Sequence, residues 1–147
     1  MTSNKFIFDG NGSIFPIVTI EDSTNPLLWI VECSWDNPEE DAFTDSVAIK
    51  FNKAHKYYNN ILFGNSKFDK QLFTEVIAAA MDIIISALRD NNPTIWANMM
   101  SSDYEAAEGS VSAIVKYFID TISSLDFTNS NTTSITLRQY LQRKIKQ

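Results

Sequence analysis

Residues 66–90 read SKFDKQLFTEVIAAAMDIIISALRD, and the reading of this stretch decides the fold. Ser66 and Asp69 stand in capping positions, and from Val76 to Leu88 the run is apolar on nearly every side, broken only by Asp82 and Ser86. A helix that is apolar all round has to be surrounded by other elements. Residues 67–90 are therefore expected to form a central helix about which the rest of the chain packs. Its polar residues Gln71, Glu75, Asp82, Ser86 and Arg89 fall on one narrow stripe, and everything else on it is free to be buried. The apolar segment Val76–Ile85, interrupted by Asp82, is short of the roughly 18–20 residues that a membrane span needs, so no span is expected.

Beyond this helix, Asn92 is placed to cap and Pro93 to open a short helix carrying Ile95, Trp96, Met99 and Met100. Ser102-Asp-Tyr-Glu105 has the form of a capping box. It predicts a long amphipathic helix with Tyr104, Ala107, Val111, Ile114, Val115, Phe118, Ile122 and Leu125 on its inner face. Glu105, Glu108, Ser112, Lys116 and Asp120 would point outward. Thr128–Thr133 reads as a polar linker, and Ser134–Gln147 as a basic helix with Leu137, Leu141 and Ile145 in line.

Before the central helix, the apolar residues Phe43, Val47, Phe51, Ala54, Tyr58 and Ile61 follow a helical stripe closed by Gly64-Asn65. The alternation Val47, Ile49, Phe51 is a competing strand pattern that stops at Asn52, and the helix is the expectation. Asp36–Ala42 separates this helix from Leu27–Trp35, a strand apolar on both faces in its first half and so expected to be central or covered by helices. Lys5–Ile20 reads as a hairpin turning at Asp9–Gly12, with Pro16 placing its second strand at an edge or at a bulge. The fold class is α+β in a single domain, 1–147: an N-terminal antiparallel sheet of about three strands over 1–35, a helical part over 43–127, and a basic helix over 134–147. The helices, four to five in number, should gather on one face of the sheet.

Of the 147 residues 44% are hydrophobic and 20% charged, the balance of a globular chain. The single cysteine, Cys33, leaves no intramolecular disulfide and no thiolate metal cluster. The N-terminus MTSNKFIFDG lacks the pattern of a signal peptide. A reducing, cytoplasmic location is the expectation. The net charge is −6, unevenly spread. Glu21, Asp22, Glu32, Asp36, Glu39, Glu40, Asp41 and Asp45 occur in a stretch with no lysine or arginine, whereas Arg138, Arg143, Lys144 and Lys146 follow one another near the end without an acid. A body this negative repels phosphate backbones, which argues against nucleic acid as partner and for a basic protein.

Chemistry-bearing motifs are few. Asp9-Gly-Asn-Gly-Ser13 begins like a calcium loop, but Ile14 stands where glycine is needed and Ile20 where a bidentate glutamate is needed, so a hairpin turn accounts for it. No metal or cofactor is expected. His55, the only histidine, lies between Lys53 and Lys56 on what would be the polar side of the first helix. Cys33 reads as a buried, inert thiol. Glu75 and Asp82 lie on one side of the central helix, where paired carboxylates can do acid–base work or hold a metal, but they also share their strip with ordinary polar residues. The triplets Asn11-Gly-Ser13 and Asn131-Thr-Thr133 match the glycosylation pattern and carry no weight without a secretory signal.

The favoured reading is a non-enzymatic interaction module, an inhibitor, immunity-type or adaptor protein, contacting its partner through Trp35, Asp36, Glu39, Glu40, Asp41, Trp96, Met99 and Met100. A second reading is a structural subunit of a homo-oligomeric assembly, such as a virion or secretion-apparatus component, with the basic helix docked on a neighbouring copy. A third is an enzyme or small-molecule binder with a site at the sheet–helix junction, near Glu75, Asp82 and His55.

Overall fold

The computed structural model describes residues 4–7, 14–121 and 130–144. The arrangement is α+β, as the strand-then-helix order implies. Strands β1 (Asn4–Ile7), β2 (Ile14–Ile20), β3 (Trp29–Cys33) and β4 (Val47–Asn52) form a sheet in the order β1-β2-β4-β3. β1 pairs with β2 and β3 with β4 antiparallel, whereas β2 and β4 run parallel. The sheet is thus mixed and four-stranded rather than antiparallel and three-stranded. The turn expected at Asp9–Gly12, and with it the calcium-like loop, lies outside the described residues.

The fourth strand is the main departure. In place of one helix over 43–61 there is a single helical turn, α1 (Phe43–Ser46), then β4, then a 3-10 turn at Tyr58–Ile61. The reason lies in the spacing. Phe43, Val47 and Phe51 are four apart, and residues four apart share a face in a strand as well as in a helix. Ile49 breaks the tie: Val47, Ile49 and Phe51 are all buried, while Ala48 and Lys50 between them are only half-buried. β4 takes an inner place and β3 is an edge strand, so of the two alternatives for Leu27–Trp35, central or covered by helices, it is the contact with the helix Lys70–Asn91 that applies. Pro16 sits opposite Lys5 of β1, and the ladder to β4 begins only at Ile17, so the proline occupies the half of β2 that has one neighbour.

Against this sheet lies α2 (Lys70–Asn91), the expected central helix. Asp69 caps it, accepting the Leu72 N–H at 3.1 Å. Phe73, Val76, Ile77, Ala78, Ala80, Met81, Ile84, Ile85 and Leu88 are buried along its length. Phe51 of β4 meets Phe73 edge-on at 6.4 Å between ring centres. By length and composition α2 is apolar enough to cross a membrane, which the interruption at Asp82 was expected to preclude. It is nonetheless the hub of the fold, touching β3, α3 (Pro93–Met99) and α5 (Ser130–Lys144), and most of its apolar side chains are buried, although Ile83 is 44% exposed.

α3 begins with Pro93 in its first turn as expected, but the Asn92 side chain makes no capping bond to it. The capping box at Ser102–Glu105 does not start a helix: α4 spans Val111–Thr121, and Ser110 Oγ caps it by accepting the Ala113 N–H at 3.2 Å. Residues 101–109 instead form turns that end at Gly109, whose φ of +76° suits glycine. Val111, Val115 and Phe118 face inward as expected, but Ser112, expected outside, is fully buried. Between α2 and α4, Met81, Ile84, Ile85, Val115 and Phe118 close on one another and leave no room for a water molecule. Ile122 and Leu125 lie outside the described residues, and α5 starts one turn earlier than Ser134, within the expected linker.

Candidate functional site

The connector between β3 and α1 is built by its own side chains. Asp41 Oδ2 accepts the N–H groups of Asp36 at 2.8 Å and Asn37 at 3.0 Å, and Asn37 Oδ1 accepts that of Glu39 at 3.0 Å. The Asn37 bond is an Asx-turn, which short polar side chains favour, and the Asp41 carboxylate closes the loop from its far end. The backbone of the connector then bonds to the segment that precedes and opens α4. Ala107 N–H donates to Glu39 O, Val111 N–H to Asp41 O, Ser112 N–H to Pro38 O, and Phe43 N–H to Gly109 O, at 2.8–3.0 Å. Tyr104 Oη lies 2.8 Å from both Glu39 Oε2 and Ser112 Oγ. With one proton to give, the phenol donates to the carboxylate, and the Ser112 hydroxyl donates to the phenol. Burial is the largest influence on Tyr104 and raises its pKa above the ordinary phenol value, opposed by Ser112 and reinforced by Glu39.

These bonds have an electrostatic consequence. They join two segments that carry acids and no base: Asp36, Glu39, Glu40 and Asp41 on one side, Asp103, Glu105 and Glu108 on the other. The Ser101 hydroxyl donates to Asp103 and holds that carboxyl below its usual pKa. α3 runs between two clefts. At its start, a cleft of about 370 Å³ is lined by Cys33, Trp35, Asp36, Asn91 and Asn92. At its end, one of about 400 Å³ is lined by Glu39, Ala97, Asn98, Ser101, Asp103, Tyr104 and Glu105.

The residues singled out as contacts therefore separate by role. Asp36 and Glu40 are exposed on the connector. Glu39 and Asp41 are half-buried and hold hydrogen bonds of the fold. Trp35 is half-buried, its Nε1–H donating to Asn92 Oδ1 at 3.0 Å. Trp96 is half-buried against the core, and Met100 is 45% exposed. Met99 is fully buried and anchors α3 to the body, so it is a core residue rather than a contact. Sequence reasoning missed Asp103, Glu105 and Glu108 as part of the same face, because it placed them on or beside the outside of a helix. The base-free run from Asp90 to Val115 was the signal available for them.

Glu75 and Asp82 do converge, but on a cation. Arg138 of α5 reaches both oxygens of Glu75 through Nε at 2.9 and 3.0 Å and Asp82 Oδ2 through Nη1 at 3.4 Å, and also holds Ser134. Burial lowers the Arg138 pKa, but pairing with Glu75 and then Asp82 outweighs it and the net shift is upward. The two carboxylates thus fasten α5 to α2. Leu137 and Leu141, both fully buried, complete the attachment, so the basic helix docks on its own chain.

His55 stands in the turn after β4, not on a helix, and its Nδ1 accepts the Tyr57 N–H at 3.0 Å. Cys33 pairs with Val47 at the opposite end of β4. The strand between them is about 17 Å long at its rise per residue, which keeps thiol and imidazole from acting together. Burial raises the Cys33 pKa and keeps the thiol protonated. Among the described residues no group of three or more His, Cys, Asp or Glu side chains is placed to hold a metal ion.

Comparison of the chain with protein-family models, with curated proteins and with solved structures finds no match.

Proposed function

We propose that the protein is a non-enzymatic interaction module, an inhibitor, immunity-type or adaptor protein, whose acidic edge takes a basic protein partner in the cytoplasm. One observation carries this reading: the connector and the segment before α4 are bonded backbone to backbone, which joins two base-free stretches carrying seven carboxylates, and Asp36, Glu39, Asp103 and Glu105 of these line the clefts at the two ends of α3. The half-buried Trp35 and Trp96 and the exposed Met100 supply the apolar contacts that interface centres favour. The same field disfavours nucleic acid. The assembly reading rested on a basic helix without a known berth, and α5 lies on its own α2.

The test uses exposed acids that the fold does not need. Replacing Glu40, Glu105 and Glu108 together by Ser should slow association with an unstructured lysine- and arginine-rich peptide by about tenfold at low salt, because steering depends on the field of the face. Stopped-flow measurement at several ionic strengths reads both rate and salt slope. An unchanged rate with an unchanged slope overturns the proposal.

A further inference from the structure

We infer that the cleft at the start of α3 seats one arginine side chain of the basic partner, an inference that rests on the acidic-edge reading and adds to it a particular berth. At about 370 Å³ the cleft is near the lower end of ligand sites, which run from about 300 to 1,000 Å³. Its lining holds one indole, one carboxylate, two carboxamides and a thiol, and no cation.

Each wall favours a planar cation. Trp35 offers an aromatic surface over which a guanidinium stacks. Its orientation is set in advance, because Nε1–H is bonded to Asn92 Oδ1 at 3.0 Å. The Asp36 carboxylate accepts no hydrogen bond from the described residues, while its backbone is fixed by Asp41 Oδ2 at 2.8 Å. Its backbone is therefore fixed and its charge left open. Asn91 and Asn92 bring the C-terminal end of α2, a helix of 22 residues, to the cleft, and a helix C-terminus carries partial negative charge. Arg89 O also lacks its usual helical partner there, since the residue four positions on is Pro93, which has no N–H. An anion meets repulsion from the Asp36 carboxylate and from the C-terminal end of α2. A neutral apolar group would leave the carboxylate and amides unmatched. Arginine fits better than lysine because its flat fork can stack on an indole and pair two-point with a carboxylate in one pose.

The experiment titrates N-acetyl-arginine amide, and separately N-acetyl-glutamine amide, into the nitrogen-labelled full chain while following the Trp35 indole N–H and the side-chain amides of Asn91 and Asn92. The expected result is a saturable shift at these three positions with the arginine compound and none with the glutamine compound. Asp36→Asn should weaken the response about tenfold with its thermal melt unchanged, because the carboxylate supports no contact of the fold. No saturable shift at Trp35, or an equal response to the neutral compound, overturns the inference. The lysine- and arginine-rich peptide, added to the same sample, separates this outcome from the wider reading. Peptide binding that leaves the Trp35 N–H unmoved removes the arginine seat and keeps the acidic edge, whereas loss of peptide binding removes the edge itself.

Discussion

Asn52 closes β4 with a side chain that is 1% exposed and fully engaged. Its Oδ1 accepts the N–H groups of Asp22 and Ala54, each at 3.1 Å, and its Nδ2 donates to the carbonyls of Asp22, Asn25 and Leu27 at 3.0–3.2 Å. One amide thus stitches the whole connector between β2 and β3 to the end of the central strand. Asn52→Ala leaves those backbone groups short of partners, and the loss should be about 3 kcal/mol, from several bonds each worth roughly 1 kcal/mol net. Asn52→Asp should cost at least as much, since a carboxylate cannot donate to three carbonyls. Urea unfolding of both variants checks this, and a midpoint unchanged in either would contradict the assigned role. In sequence Asn52 marks only the place where an alternation stops. Apart from Ala54, its partners are 25 to 30 positions away, and nothing local announces them.

Among the elements, α5 is fastened to α2 by two buried leucines and one arginine clasp. The two contributions differ in size. Arg138, Glu75 and Asp82 are all partly exposed, with side-chain exposures of 30%, 47% and 31%. Water screens such a clasp, so Arg138→Gln should cost only about 1 kcal/mol and cost less as salt is raised. Leu141→Ala removes packed methyl groups from a site with no exposure and should cost about 3 kcal/mol, independent of salt. Denaturant melts of the two variants at low and high salt distinguish them. Equal losses with equal salt response would mean that α5 is held in some other way. Leu137 and Leu141 were legible as one face from their spacing, and Glu75 and Asp82 as one strip. That Arg138 joins the two was not, because a fastening between helices 56 to 63 residues apart has no trace in either helix alone.

For the whole molecule the docking of α5 predicts the solution state. With its basic helix on its own body, the chain should scatter light as a single copy over a wide concentration range. Deleting residues 130–147 uncovers the strip of α2 under Leu137 and Leu141 and should drive association through that apolar surface. A defined oligomer of the intact chain would instead restore the assembly reading. The candidate site is also a property of the whole. Asp36–Asp41 stood out as acidic in the sequence, but its partner segment did not, since the spacing of Tyr104, Ala107 and Val111 imitates a helix that Gly109 and the bonds to Pro38, Glu39 and Asp41 prevent.

What the chain determined by itself is what short-range periodicity can carry: the central helix with its Asp69 cap, Pro93 at the start of α3, the inward placement of Val111, Val115 and Phe118 on α4 and of Leu137 and Leu141 on α5, and the α+β class. Each of these rests on side chains within a few turns of one another, where propensity, capping and burial agree. The tertiary structure alone decided that Val47–Asn52 is a strand beside β2 and β3, that the connector and the segment before α4 form one acidic edge, and that Glu75 and Asp82 close on Arg138. In all three the deciding bonds run between distant parts of the chain. A local pattern that satisfies two periods at once is settled only by the neighbour that completes its hydrogen bonds.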